Sequence, residues 1–141
     1  IVWGGKIKGS SGWMAGILEE VVCTLELKKP LLVLGGFGGC ARLIADFLID
    51  ESAPWPEALS LAASADPQRD ASLSVAERDA LNHRMSHVRQ TLTNYRTAIQ
   101  NKDKSKVHGI STSLILSALS EDSARVAINI AAEATDQPTS N

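Results

Sequence analysis

Residues 31–48 read LLVLGGFGGCARLIADFL, and the order of apolar run, glycine cluster and second apolar run within them decides the fold. Residues 31–34 are wholly apolar. Without polar alternation they fit a parallel strand buried on both faces. Gly35, Gly36, Gly38 and Gly39 then surround Phe37. Ala41, Leu43, Ile44, Phe47 and Leu48 follow at helical spacing and predict a helix over 39–50. Glycines after a strand permit positive φ and close approach by a ligand. The start of the helix offers unpaired N–H groups and a partial positive charge, which suit a phosphate. The spacing is neither GxGxxG nor a P-loop, since no GK[ST] follows. A glycine turn needed only for close strand–helix packing has the same sequence.

The chain upstream repeats this order. Ile1, Val2 and Trp3 read as the end of a buried strand, and Gly4-Gly5 as its turn. Residues 6–12 form a Gly/Ser loop in which Ser10 or Ser11 can cap the next helix. That helix is expected over 13–29, with Ile17, Leu18, Val21, Val22 and Leu25 on one face. Lys28 and Lys29 suit its negative end, and Pro30 stops it. Strand, loop, helix, strand, loop, helix predicts an α/β fold, an open parallel sheet with crossover helices. Parallel neighbours would carry both glycine loops to the carboxyl edge, where such sheets bind ligands. Gly4, Gly5, Lys6, Ser10, Ser11 and Gly12 are therefore a second candidate segment beside Gly35–Gly39. Lys6 can pair with a phosphate and the serines can donate to it. Equally, Lys6 can be a solvated lysine and one serine only a cap. Arg42, in the first turn after the glycine cluster, can reach an anion or simply cover the helix.

Composition changes at Pro54, Trp55 and Pro56. A short helix is expected over 58–65, and a long polar one over 75–101 capped by Ser74. Leu81, Met85, Val88, Leu92, Tyr95 and Ile99 give the long helix a narrow apolar stripe. Residues 102–106 read as a solvated turn, 110–119 as a helix or strand, and 120–134 as a helix capped by Ser120. Residues 135–141 form a polar tail. The expected division is 1–52 as one α/β unit, 53–134 as a mostly helical C-terminal part packed on it, and the tail. No repeat of solenoid length is present.

The chain has 141 residues, 44% hydrophobic, with 14 basic and 16 acidic residues and a net charge of -2. That balance gives no electrostatic reason for nucleic-acid binding. No apolar run reaches the roughly 18 residues of a membrane span. Cys23 and Cys40 read as buried thiols of a reducing, cytoplasmic compartment. There is no CxxC pair and no metal site is expected. His83 and His87 lack a third ligand and read as surface residues, and His108 has no visible nucleophile partner. No acid, serine or cysteine set makes a convincing catalytic group. Glu19, Glu20 and Asp46 are the acids near enough in sequence to serve. The start at Ile1, inside an apparent strand, reads as a piece of a longer protein.

Residues 4–20 (GGKIKGSSGWMAGILEE) and 28–48 (KKPLLVLGGFGGCARLIADFL) together resemble the SLOG superfamily. These are Rossmann-like domains related to the cytokinin-activating lonely-guy enzymes, to the DNA-processing protein of natural transformation and to the ligand-sensing domain of melastatin-type TRP channels. The resemblance is to a bacterial branch found beside effector domains in antiphage systems. It rests on Gly4-Gly5-Lys6, Gly12, Met14, Gly16, Glu19-Glu20 and residues 30–45, with a distant echo at 109–130. Residues 1–52 would be the C-terminal half of such a Rossmann-like domain. The resemblance implies a sensor for a nucleotide-derived signal, of ADP-ribose or cyclic-nucleotide type, acting through a homo-oligomer or an attached effector. Gly35, Gly36, Phe37, Gly38 and Gly39 would hold a phosphate, and Lys6 and Arg42 would neutralise it. No further cofactor, nucleic acid or membrane is implied. Lonely-guy enzymes carry PGGxGTxxE at this loop. Here Gly39 replaces the threonine and Arg42 the catalytic-site glutamate, which argues against hydrolysis. Ala15 also departs from the branch, which has proline there.

Three readings follow: a ligand-binding regulatory module, an enzyme cleaving an N-glycosidic or phosphate bond, and a structural oligomerisation domain pairing through the stripe of the 75–101 helix. A two-strand sheet would expose an apolar edge, so further residues or a partner are expected to complete it.

Overall fold

Two apolar runs, 1–3 and 31–34, have strand character, and they pair. In the computed structural model, which describes residues 1–7, 12–61, 70–103, 106–107 and 112–120, β1 (Val2–Trp3) and β2 (Val33–Leu34) form a parallel ladder. Val2 stands opposite Val33 and Trp3 opposite Leu34. The crossover is α1 (Gly16–Glu26), and α2 (Gly39–Ile49) follows β2 after a 3-10 turn, Gly35–Phe37. The strand–helix alternation is as expected. Among the described residues, however, the sheet has two strands rather than the wider open sheet. The physical reason is in the sequence: the remaining apolar periodicity is helical. It builds α3 (Val75–Gln100) and α4 (Thr112–Ser120).

α1 begins three residues later than expected. Ala15 is its N-cap, with extended backbone and no side-chain hydrogen bond. Met14 and Ala15 are buried, so the chain enters the helix anchored by packing instead of by a serine. Ser10 and Ser11, the expected caps, lie outside the described residues. Leu18, Val21, Val22 and Leu25 form the buried stripe. Cys23 was expected to be buried and is exposed. It sits one residue beyond Val22, which turns it to the far side of the helix, on the face shared with Glu19 and Glu26.

α1 and α3 end alike. Lys28 and Lys102 adopt left-handed φ of 54° and 53°. Lys29 N–H then reaches the Thr24 carbonyl, and Asp103 N–H the Ala98 carbonyl, at 3.0 and 2.9 Å. These are Schellman closures with lysine where glycine is usual. At the other end of α3, Ser74 Oγ accepts from Glu77 N–H at 3.3 Å while the Glu77 carboxylate accepts from Ser74 N–H at 2.8 Å. This capping box fixes the start predicted at Ser74 by satisfying two backbone N–H groups reciprocally.

α2 is the centre of the core. Cys40, Ala41, Ile44, Ala45, Phe47 and Leu48 are all buried, and the helix touches both strands and the other three helices. α3 crosses α1 and α2, burying Val88, Leu92, Tyr95 and Ile99. From Val88 onward the apolar stripe is therefore core of this chain. Leu81 and Met85, at its N-terminal end, are half-buried. The buried Tyr95 hydroxyl donates to the Leu31 carbonyl at 3.2 Å, tying α3 to the segment leading into β2. Burial pushes the pKa of this phenol upward.

Residues 57–59 form a 3-10 turn with Leu59 buried, and residues 62–65 of the helix expected over 58–65 lie outside the described residues. The stretch 110–119, ambiguous in sequence, is helical over Thr112–Ser120. Ser120 is the last described residue of α4, its hydroxyl donating to the Leu116 carbonyl at 3.2 Å. The helix and tail expected beyond it lie outside the described residues. No helix among the described residues is long and apolar enough to cross a membrane.

Candidate functional site

Parallel pairing of β1 and β2 brings both glycine runs to the carboxyl edge, and there they touch. The Cys40 N–H donates to the Gly5 carbonyl at 3.0 Å, and the Ala41 N–H to the Gly4 carbonyl at 2.8 Å. This corrects one expectation. The first-turn donors of α2, which a phosphate was expected to use, are in part taken by the first loop. The carbonyls of that loop cap the helix dipole themselves.

The glycines divide by role. Gly39 has φ +63°, and a Cβ there would lie 2.3 Å from the Gly5 oxygen. Gly35 is buried, and a Cβ there would lie 2.4 Å from both the Ala45 Cβ and the Leu119 carbonyl oxygen. These two are glycine because backbone and helix pack where a side chain would be. A Cβ on Gly5 would meet the Ile17 side chain at 2.3 Å. Gly4 and Gly38, by contrast, face open space. Gly36 is half-buried, and Phe37 is 40% exposed. The surface open to a ligand is thus Gly4, Gly38 and the Gly36-Phe37 tip.

Lys6 is exposed at this edge. Arg42 is exposed too, but its Nε pairs with Asp46 at 2.8 Å across one turn. Such a pair between half-exposed groups is weak and exchangeable. Gly12 is half-buried, and the Glu19 carboxylate comes within 4.0 Å of where its Cβ would be. Glu19 is thus the acid that folding brings to the first loop, whereas Asp46 is tied to Arg42. Glu20 is exposed on α1.

Cys40 shows which local effect dominates at this helix start. A helix N-terminus ordinarily lowers a thiol pKa. Here burial pushes Cys40 up to about 11, against a smaller opposing contribution from the Leu18 backbone. In native protein at pH 8, Cys23 should react with a disulfide reagent and Cys40 should stay protected; denaturant should release both. Fast labelling of two thiols in the native state would contradict this burial. The raised pKa also fixes a sign. The unfolded thiol ionises near 9 and the folded one near 11, so this contribution to stability is complete below pH 9 and is lost as pH rises through that window.

Two cavities lie elsewhere, along the N-terminal half of α3. One of about 240 Å³ is lined by Trp13, Leu73, Arg78 and Leu81 among others. The second, of about 390 Å³, is lined by Trp55, Met85, Ser86 and Arg89 among others. Neither includes a residue of the glycine cluster. His83 is exposed, while His87 Nε2 and Arg84 Nη1 meet the same Glu26 oxygen at 2.7 and 2.8 Å. Hydrogen bonds from Arg84 and then His87 hold the Glu26 carboxyl below its ordinary range. Among the described residues no group of three metal-ligating side chains converges. His108 lies outside them.

Sequence reasoning missed the residues that close the other end of α2. Arg96 donates to the carbonyls of Asp50 and Ala53 at 3.2 and 2.9 Å, and at 3.5 Å to that of Phe47. Its guanidinium lies 4.1 Å over the Phe47 ring, which meets Trp55 edge-on. Gln100 donates to the Ile49 carbonyl at 3.0 Å. Arg96 falls one place after Tyr95 on the stripe, and only its partners reveal its role.

No curated protein and no solved structure gives a significant match to the chain. The family described as SLOG cluster2 matches residues 1–114, from β1 into α4 and across both glycine runs. The chain therefore belongs to the SLOG superfamily, whose domains bind or process nucleotide-related ligands.

Proposed function

We propose that this chain is a regulatory module that binds a nucleotide-derived signal of ADP-ribose or cyclic-nucleotide type, with the paired glycine loops as its phosphate-facing surface. One observation carries the reading. The two loops meet at the carboxyl edge of a parallel strand pair, where open α/β sheets bind ligands. Gly4 and Gly38 leave open space there for a ligand to approach, and Lys6 and Arg42 supply positive charge. Ser10, Ser11 and Gly12 complete the loop in this proposal. Arg42 releases Asp46 to reach the phosphate, a small cost for an exposed pair.

The enzymatic alternative needs an acid, and Glu19 is the one placed for it. Arg42 occupies the position of the lonely-guy glutamate, which favours binding over cleavage. Signalling through a homo-oligomer or an attached effector, in a cytoplasmic antiphage setting, belongs to the same proposal.

The test is a thermal-shift screen against ADP-ribose, its cyclic isomers, NAD, AMP and cyclic dinucleotides, with product analysis. A ligand that binds only the native state raises Tm by mass action, about 2.7 kcal/mol of stabilisation at a hundredfold excess over Kd. One nucleotide should shift Tm without forming product. The exposed double substitution Lys6→Glu/Arg42→Glu should abolish the shift while leaving the unliganded Tm nearly unchanged. Turnover would favour the enzyme, and no shift with any ligand would defeat the proposal.

A further inference from the structure

The chain has six aromatic residues, and all lie in described segments. Four are at least partly covered. Phe47 and Tyr95 are buried, while Trp13 and Trp55 are half-buried. The two that remain exposed are Trp3, at 58%, and Phe37, at 40%. Trp3 immediately precedes Gly4-Gly5, and Phe37 is the centre of the Gly35–Gly39 run. Trp3 ends β1 and Phe37 ends the 3-10 turn after β2, and the segments that follow them are bonded to each other through Gly4, Gly5, Cys40 and Ala41. Both exposed aromatics therefore flank the edge where Gly4 and Gly38 leave open space and Lys6 and Arg42 are exposed.

Phe37 is also set up to remain exposed. It ends the 3-10 turn Gly35–Phe37, which is anchored below by the buried Gly35 packed on Ala45 and the Leu119 carbonyl. Gly38 follows at φ +75° with open space around it. The turn thus anchors Gly35 in the core and leaves Phe37 partly exposed at its end. The exposed part of this ring can stack on a planar ring.

We propose that Phe37, assisted by Trp3 at the end of the adjoining strand β1, is the platform on which the aromatic base of the bound nucleotide stacks. This rests on the phosphate-facing role of the same loops. It assigns the base to the aromatic residues and the phosphate to the open glycines and cations. Base–aromatic stacking tolerates any base, so this edge would select for possession of a base more than for its identity.

Calorimetric titration of the full chain with AMP and with ribose 5-phosphate separates the two roles. AMP should bind roughly tenfold or more tightly than ribose 5-phosphate, the expected scale of one base stack. Phe37→Ala should remove that advantage and leave ribose 5-phosphate binding unchanged, while Phe37→Tyr keeps it. Trp3→Phe should remove part of the tryptophan quenching caused by AMP and preserve most of the affinity. If AMP binds no better than ribose 5-phosphate, or Phe37→Ala weakens both equally, the platform is overturned. Self-association of the wild type that Phe37→Ala abolishes, with AMP affinity unchanged, would also overturn it and make the pair a contact between copies. The nucleotide screen tells these failures from failure of the site: a ligand shift lost in Lys6→Glu/Arg42→Glu sustains the phosphate reading whatever becomes of the platform.

Discussion

Gly39→Ala should destabilise the protein by about 2–4 kcal/mol, the combined scale of a left-handed backbone imposed on an L side chain and of overpacking. The new methyl would lie 2.3 Å from the Gly5 oxygen and 2.9 Å from the Gly4 carbonyl carbon. Both are backbone atoms, and they are held in place by the bonds to Cys40 and Ala41. Relief would require separating the loops and breaking those bonds. Melting should fall by roughly 10 °C for a domain of this size. Gly16→Ala supplies the contrast. Gly16 opens α1, and a Cβ there meets nothing within 4 Å. It should be neutral or slightly stabilising, by up to about 1 kcal/mol. Equal melting temperatures for the two variants would mean that the loops do not touch as described.

Arg96→Met should cost about 2–3 kcal/mol, read as a lower urea midpoint with an unchanged slope. Methionine keeps much of the apolar stem, so the loss reports the guanidinium. Three carbonyls at and beyond the C-terminal end of α2 lose their donor. The cation over Phe47 is removed as well. Arg96→Lys should recover only part, because an ammonium cannot satisfy the same spread of acceptors while lying flat on a ring. Full stability in Arg96→Met would show that solvent satisfies these carbonyls unaided. α2 is then described consistently at both ends: loop carbonyls accept from its first turn, and an arginine donates to its last.

Much of this architecture is legible in the sequence because the signals are local. Wholly apolar strands, helical spacing from Leu18 to Leu25 and the Ser74/Glu77 box each act within a few residues. They give the strand–helix order and the parallel pairing. The meeting of the two glycine runs at one sheet edge was legible, but the detail of that candidate site was not. Glycine marks a need for backbone space without saying what fills it. At Gly35 and Gly39 the chain itself fills it, with Ala45, Leu119 and the Gly4-Gly5 carbonyls. Gly38 has the same residue type and open surroundings. Cys23 was misread because an apolar neighbourhood in sequence is not a helix face: Val21 and Val22 point inward, and the next residue does not. Arg96 and Gln100 were illegible because their partners lie about fifty positions away, at the end of α2. The resemblance to SLOG domains pointed to this edge as the candidate site before the geometry did. The geometry then separated the residues that build that edge from those left open on it.

The most direct measurement is amide chemical-shift mapping of the isotopically labelled chain with the nucleotide that gives the largest thermal shift. The account predicts perturbations centred on Gly4, Lys6, Gly36, Phe37 and Gly38, with residues lining the α3 cavities, such as Asn82 and Arg89, unmoved. Perturbations centred on those cavities, with the glycine amides unchanged, would contradict it and place the ligand on the opposite element of the fold.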